Sequence, residues 1–130
     1  MTAAPAADRS PLLVLIDSDA AVSDALRFQL ELEGYEVETF RDGGSVLASW
    51  VGQRPGCHVI DFDLPDMDGL ALLQRLRERG VIMPSVLIAG QPTQRVRALA
   101  RALSVPIVEK PLMKNELIEA VALAARAVSA

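Results

Sequence analysis

The stretch from Cys57 to Gly80, CHVIDFDLPDMDGLALLQRLRERG, decides the fold. Cys57 to Ile60 make an apolar run of strand length that ends directly on Asp61, with Asp63 just beyond. Leu70, Leu73, Leu76 and Arg77 then recur with helical spacing, and Gly80 stops the helix. A strand, an acidic edge and an amphipathic helix in that order form one unit of an α/β protein.

The same unit recurs on both sides. Leu12 to Ile16 (LLVLI) is a continuous apolar run, as expected of a strand covered on both faces. A helix from about Ala20 to Glu33 follows, with Val22, Ala25, Leu26 and Leu30 on one side and Gly34 as its stop. Tyr35 to Phe40 (YEVETF) alternates like an edge strand with one wetter face. Ser45 to Val51 predicts a short helix ended by Gly52 and Pro55, with Trp50 near its end. Downstream, Ser85 to Ala89 (SVLIA) is a buried strand preceded by Pro84. Val96, Leu99, Ala100 and Leu103 mark a helix face, and Val105 to Val108 a fifth strand. Leu117, Ile118, Val121, Ala125 and Val128 line a last helix. Alternating strands and helices predict a parallel sheet joined by right-handed crossovers. One domain is expected over 11–130, behind a loose tail over 1–10.

At 51% hydrophobic residues, the chain can bury a core without disulfides or a structural metal. Cys57 is the only cysteine and His58 the only histidine. A disulfide within the chain is impossible, zinc and thiol chemistry lack partners, and Cys57 reads as a buried strand residue. The net charge of −4 argues against a nucleic-acid surface over the whole domain, and no direct nucleic-acid binding is expected. The opening MTAAPAADRS has neither the basic start nor the apolar run of a signal peptide. No apolar run reaches membrane-spanning length, so no membrane association and a cytoplasmic location are expected.

Function is read from where the acids fall. Asp17 and Asp19 follow the first strand, Asp61 and Asp63 end the third, and Lys110 follows the fifth. All lie at carboxyl ends, where open α/β sheets bind ligands. If strands one, three and five are near neighbours, Asp17, Asp61 and Lys110 meet in one crevice. Carboxylates with a lysine make a hard, oxygen-rich site suited to Mg²⁺ and a phosphoryl group. The Asp61 carboxylate can act as nucleophile while Lys110 places a point charge on a phosphoryl oxygen. Taken singly, Asp17 or Asp19 reads better as a cap on the first helix; it is the set, each at a strand's carboxyl end, that favours the site.

LIDSD (15–19), VIDFDLPDMDGL (59–70), PSVLIAG (84–90) and VEKPL (108–112) resemble the receiver domains of two-component response regulators. The wording is closest to receivers of nitrogen-fixation and related aerobic-control regulators. The resemblance implies a flavodoxin-like, doubly wound fold with strand order 2-1-3-4-5. It identifies Asp61 with the phosphoacceptor, Asp17 with the first acid of an acidic pair, and Lys110 with the active-site lysine before a cis Pro111. It makes the Asp63 backbone carbonyl a magnesium ligand, and Pro65 and Gly69 the turn into the third helix. It also implies a histidine kinase or phosphotransfer protein as partner, and no enzyme activity on a separate substrate.

Three positions depart from the family. Ser18 stands where the second acid, a direct metal ligand, is usual. Ala89 replaces a Ser or Thr hydroxyl, and Ile107 replaces the aromatic ring that changes rotamer on activation. Ser18 weakens the Mg²⁺ site, leaving Asp17 and Asp61 as carboxylate ligands. Ala89 forgoes a hydrogen bond to a charged acceptor, worth about 1.5–3 kcal/mol. Phosphorylation with an atypical switch is the first expectation; a pseudo-receiver, kept for docking or dimerisation without phosphate, is the alternative. A third reading takes Asp61-Phe62-Asp63 as the nucleophile motif of haloacid dehalogenase-like hydrolases, which carry it on the first strand and lack Pro65.

The fourth helix carries Arg95, Arg97 and Arg101, and the last exposes Ala120, Ala124 and Ala127. In receivers, helix four, strand five and helix five form a face for dimerisation or output, so a homodimer through that face is one reading, and a solvated helix face the plainer one. A single-domain regulator and a receiver cut from a longer chain fit the sequence equally.

Overall fold

The computed structural model describes residues 12–49, 56–112 and 115–129. The tail over 1–10, Trp50, Val51 and the stop at Gly52 and Pro55 lie outside the described residues. The elements run β1 (Leu12–Ile16), α1 (Ala20–Leu32), β2 (Glu36–Phe40), α2 (Gly43–Ser49) and β3 (Gly56–Asp61). They continue with α3 (Gly69–Glu78), β4 (Ser85–Ala89), α4 (Gln94–Ala102), β5 (Ile107–Glu109) and α5 (Glu116–Ser129). All strand pairs are parallel, in the order β2-β1-β3-β4-β5. This is the doubly wound, flavodoxin-like order that the resemblance implied.

Every residue of β1, β3 and β4 is buried, which explains their unbroken apolar runs. Side chains alternate across the sheet, so each strand feeds two cores. Val14, Ile16, Ile60 and Leu87 pack with Leu70, Leu73, Leu76 and Ala100 on the α3–α4 side. Leu13, Leu15, Cys57 and Val59 pack with Leu26, Leu30, Leu117 and Val121 on the α1–α5 side. A fully buried Leu or Ile contributes about 1.5–3 kcal/mol, so these two layers hold the sheet's carboxyl edge in place. Cys57 is fully buried, and burial pushes its thiol up to about 12, which keeps it inert.

Local departures from the sequence reading have physical causes. The buried face of α1 is Ser23, Leu26 and Leu30, whereas Val22 and Ala25 face outward. The fifth strand begins at Ile107 and not Val105, because the Val105 amide closes onto Ala100 of α4 and Pro106 has no N–H. Ala120 and Ala124 are half-buried against the α1–α5 core and not exposed. The side chains of Ala127 and Val128 lie outside the described residues. At Gly69 the chain crosses the end of β3 so closely that a Cβ would stand 2.6 Å from the Asp61 carbonyl oxygen. Only glycine lets α3 begin there.

Candidate functional site

β1 and β3 are neighbours, and β5 lies one strand beyond β4, so their carboxyl ends open onto one crevice. Asp17, Ser18, Asp19, Asp61, Asp63 and Lys110 line this open cleft of about 500 Å³, with Val22, Pro111 and Leu112 as its apolar wall. Every acid placed here from the sequence is present. The apolar wall is a feature the sequence reading missed.

Asp61 ends β3, and its side chain is 6% exposed. Lys110 Nζ reaches Asp61 Oδ1 at 3.3 Å and Oδ2 at 3.5 Å, and the Asp63 amide donates to Oδ1 at 3.2 Å. The Lys110 amide donates to the Ala89 carbonyl at 2.9 Å, which fixes the root of the lysine against β4. The Lys110–Pro111 peptide is cis, as the resemblance implied.

Asp17 and Asp19 divide the two roles open to them. Asp19 caps α1, accepting from the Ala21 and Val22 amides at 3.0 and 3.2 Å. Asp17 is buried and accepts the Asp19 amide at 2.9 Å. Burial raises the Asp17 carboxyl above its usual range, and the nearby Asp61 charge raises it further, against the lowering effect of the Asp19 amide. A cation held between Asp17 and Asp61 relieves both raising effects, so the donor set suits a hard divalent ion. Among the described residues no three His, Cys, Asp or Glu side chains gather as a metal site. The adjoining Ser18, exposed on the cleft rim, brings a hydroxyl in place of a carboxylate.

Ala89 is buried and lies with Phe62, Asp63, Gly90, Thr93 and Val96 around a separate hollow of about 110 Å³. Ile107 is half-buried against the α3–α4 core and sits opposite Leu87 in the β4–β5 ladder. Neither side chain offers a polar group to the cleft.

Asp66 is a positioning residue that sequence reasoning passed over. Its carboxylate accepts the Gly43 and Gly44 amides at 3.0 and 2.8 Å, tying the β3–α3 loop to the start of α2. Those amides hold the Asp66 carboxyl below its usual range. The tie also explains why α2 starts at Gly43, earlier than Ser45. The Gly43-Gly44 pair was the local signal; the partner, more than twenty positions away, left none.

The family model described as the response regulator receiver domain matches residues 13–122. The chain is 33% identical over 115 residues to the transcriptional regulatory protein TrcR of Mycobacterium tuberculosis, covering 86% of this chain and 44% of that one. It is 32% identical over 106 residues to the transcriptional regulatory protein FixJ of Bradyrhizobium diazoefficiens, covering 81% and 52%. Among solved structures, a CheY-like receiver domain protein from Methanospirillum hungatei superposes with a TM-score of 0.80 at 25% identity, covering 88% and 92%. The chain belongs to the response regulator receiver domains of two-component systems. It spans about half the length of the curated relatives, or less. With Asp61 on the third strand and this membership, the hydrolase reading falls away.

Proposed function

We propose that this domain accepts a phosphoryl group on Asp61 from a histidine kinase or phosphotransfer protein and passes the signal on through an atypical switch. The observation that carries the reading is the Lys110 ammonium 3.3 Å from a carboxylate at the mouth of the cleft. An Asp61 oxygen forms the new O–P bond as the donor's P–N bond breaks and the imidazole leaves with the electron pair. Lys110 stabilises charge on a phosphoryl oxygen, and the Asp63 amide orients Asp61. Asp17, Asp61 and the Asp63 carbonyl would hold Mg²⁺, with Ser18 leaving the site one carboxylate short. The ion, when bound, offsets the charge of carboxylates and phosphate. The domain acts in the cytoplasm as a signalling module, without turnover of a separate substrate. No helix among the described residues is long and apolar enough to cross a membrane.

A second reading, a phosphate-independent docking module, draws on Ser18, Ala89 and Ile107. Beryllofluoride with Mg²⁺, an acyl-phosphate mimic, separates the two. Amide shifts at Phe62, Asp63 and Lys110 are expected in the native chain and absent in Asp61→Asn; no shifts in the native chain would leave the docking module.

A further inference from the structure

The charges of this domain are segregated across its sheet. From Leu12 to Asp42, through β1, α1 and β2, eight acids stand against two Arg, a net −6. From Leu70 to Val105, through α3, β4 and α4, six Arg stand against one Glu, a net +5. α1 packs on one layer of the core and α4 on the other, and β2 is the sheet edge away from β4 and β5. The two surfaces therefore cannot neutralise each other within one molecule.

Their shapes also correspond. On α4, Gln94, Arg95, Arg97, Ala98, Arg101 and Ala102 are exposed, and the helix contains no acid. Arg97 is engaged by Glu109 at 2.7 Å, whereas Arg95 and Arg101 pair with no carboxylate among the described residues. The two alanines leave shallow ground between the guanidinium groups. On α1, Phe28 and Leu32 project into solvent, 66% and 69% exposed. Asp24 and Glu31 flank them on the same arc of the helix, Glu31 paired with Arg27 at 3.1 Å, and Glu38 is exposed on β2.

We propose that the α4 face of one copy docks on the α1–β2 face of a second copy, with Phe28 and Leu32 over Ala98 and Ala102 inside an acid–base rim. Pairing like with like is disfavoured: α4 on α4 sets Arg95 and Arg101 against the same charges, and α1 on α1 sets acid on acid. Because the two faces differ, the contact is head-to-tail, the pair keeps one free face of each kind, and assembly continues past a dimer. The occupant is thus a second copy in a heterologous contact, not a symmetric dimer on α4, β5 and α5. Nothing in this depends on phosphate reaching Asp61.

Sedimentation velocity over a concentration series tests it, at about 20 mM salt, where charges interact over about 20 Å, and at about 0.5 M, where they are screened within about 4 Å. The average mass is expected to rise past that of a dimer in low salt and return to the monomer in high salt. Arg95→Glu with Arg101→Glu, and separately Asp24→Arg with Glu31→Arg, should each stay monomeric with an unchanged circular dichroism spectrum. An equimolar mixture of the two variants should associate again, because each restores the face the other lost. A monomeric native chain in low salt, association that stops at a dimer, or association indifferent to both reversals would overturn the proposal. So would binding of duplex DNA by α4 in the same buffer without self-association.

Discussion

Lys110 Nζ stands 3.3 Å from Asp61 Oδ1, although 49 positions separate the two residues. The contact joins β3 to the end of β5 within the open cleft, and on the proposed reading it sets a charge where a phosphoryl oxygen would come to rest. Lys110→Ala is expected to slow phosphoryl incorporation by about 10- to 100-fold, the worth of a hydrogen bond to a charged group. The fold should survive with a melting temperature lower by several degrees, because the half-exposed lysine adds little itself but its loss leaves the buried Asp61 carboxylate, 6% exposed, without its cation. Incorporation rates from acetyl phosphate and a thermal scan on the same sample check both halves. A variant as fast as the native chain would remove Lys110 from the chemistry.

Ser18 sits on the cleft rim beside the buried Asp17. Ser18→Asp adds a third carboxylate to a site that has two, and is expected to tighten Mg²⁺ binding by about tenfold, since ligand charge count sets affinity for hard cations. Calorimetric titration measures it. Unchanged affinity would place Ser18 outside the metal's reach.

His58 is fully buried, close to Ser85 Oγ at 3.4 Å, and burial, helped by the Arg77 charge, lowers its imidazole to about 4. The unfolded chain takes the proton first, near the ordinary value of about 6.5, so acid favours unfolding. The neutral histidine's contribution is complete above pH 6.5 and is lost as the pH falls towards 4, by roughly 3 kcal/mol in all. Urea unfolding midpoints from pH 7.5 to 4.5 should fall more steeply in the native chain than in His58→Leu. Parallel curves would show that His58 is protonated in the fold.

On the proposed reading, Ala89 and Ile107 leave the switch without a hydroxyl or a ring. A bound group shifts an equilibrium only through contacts that differ between its states. A phosphoryl group on Asp61 is therefore expected to change α4 and β5 only slightly. Ala89→Thr together with Ile107→Tyr should enlarge that change more than the two single substitutions added, because they act as one unit. Amide exchange across residues 89–110, with and without beryllofluoride, gives the answer. A large rearrangement in the native chain would mean that coupling runs by another route.

The order of strands and helices, and the acids at the strand ends, were legible because both follow from short-range pattern. Continuous apolar runs mark the doubly covered strands, and Asp17 and Asp61 each stand at the end of one, while Lys110 comes right after the short β5. What stayed hidden depends on contacts distant in sequence. α1 carries apolar residues on two faces, and only packing shows that Ser23, Leu26 and Leu30 are the buried ones while Phe28 and Leu32 project. The start of β5 is displaced by the Val105 amide turning back to Ala100. Asp66 reads as a loop acid until the fold brings Gly43 and Gly44 beneath it.

Intact-mass measurement after incubation with Mg²⁺ and acetyl phosphate tests the role of Asp61 most directly. One phosphoryl group per chain is expected on the native protein, lost on treatment with hydroxylamine as an acyl phosphate would be, and absent from Asp61→Asn. No adduct on the native chain, or an adduct that survives Asp61→Asn, would contradict it.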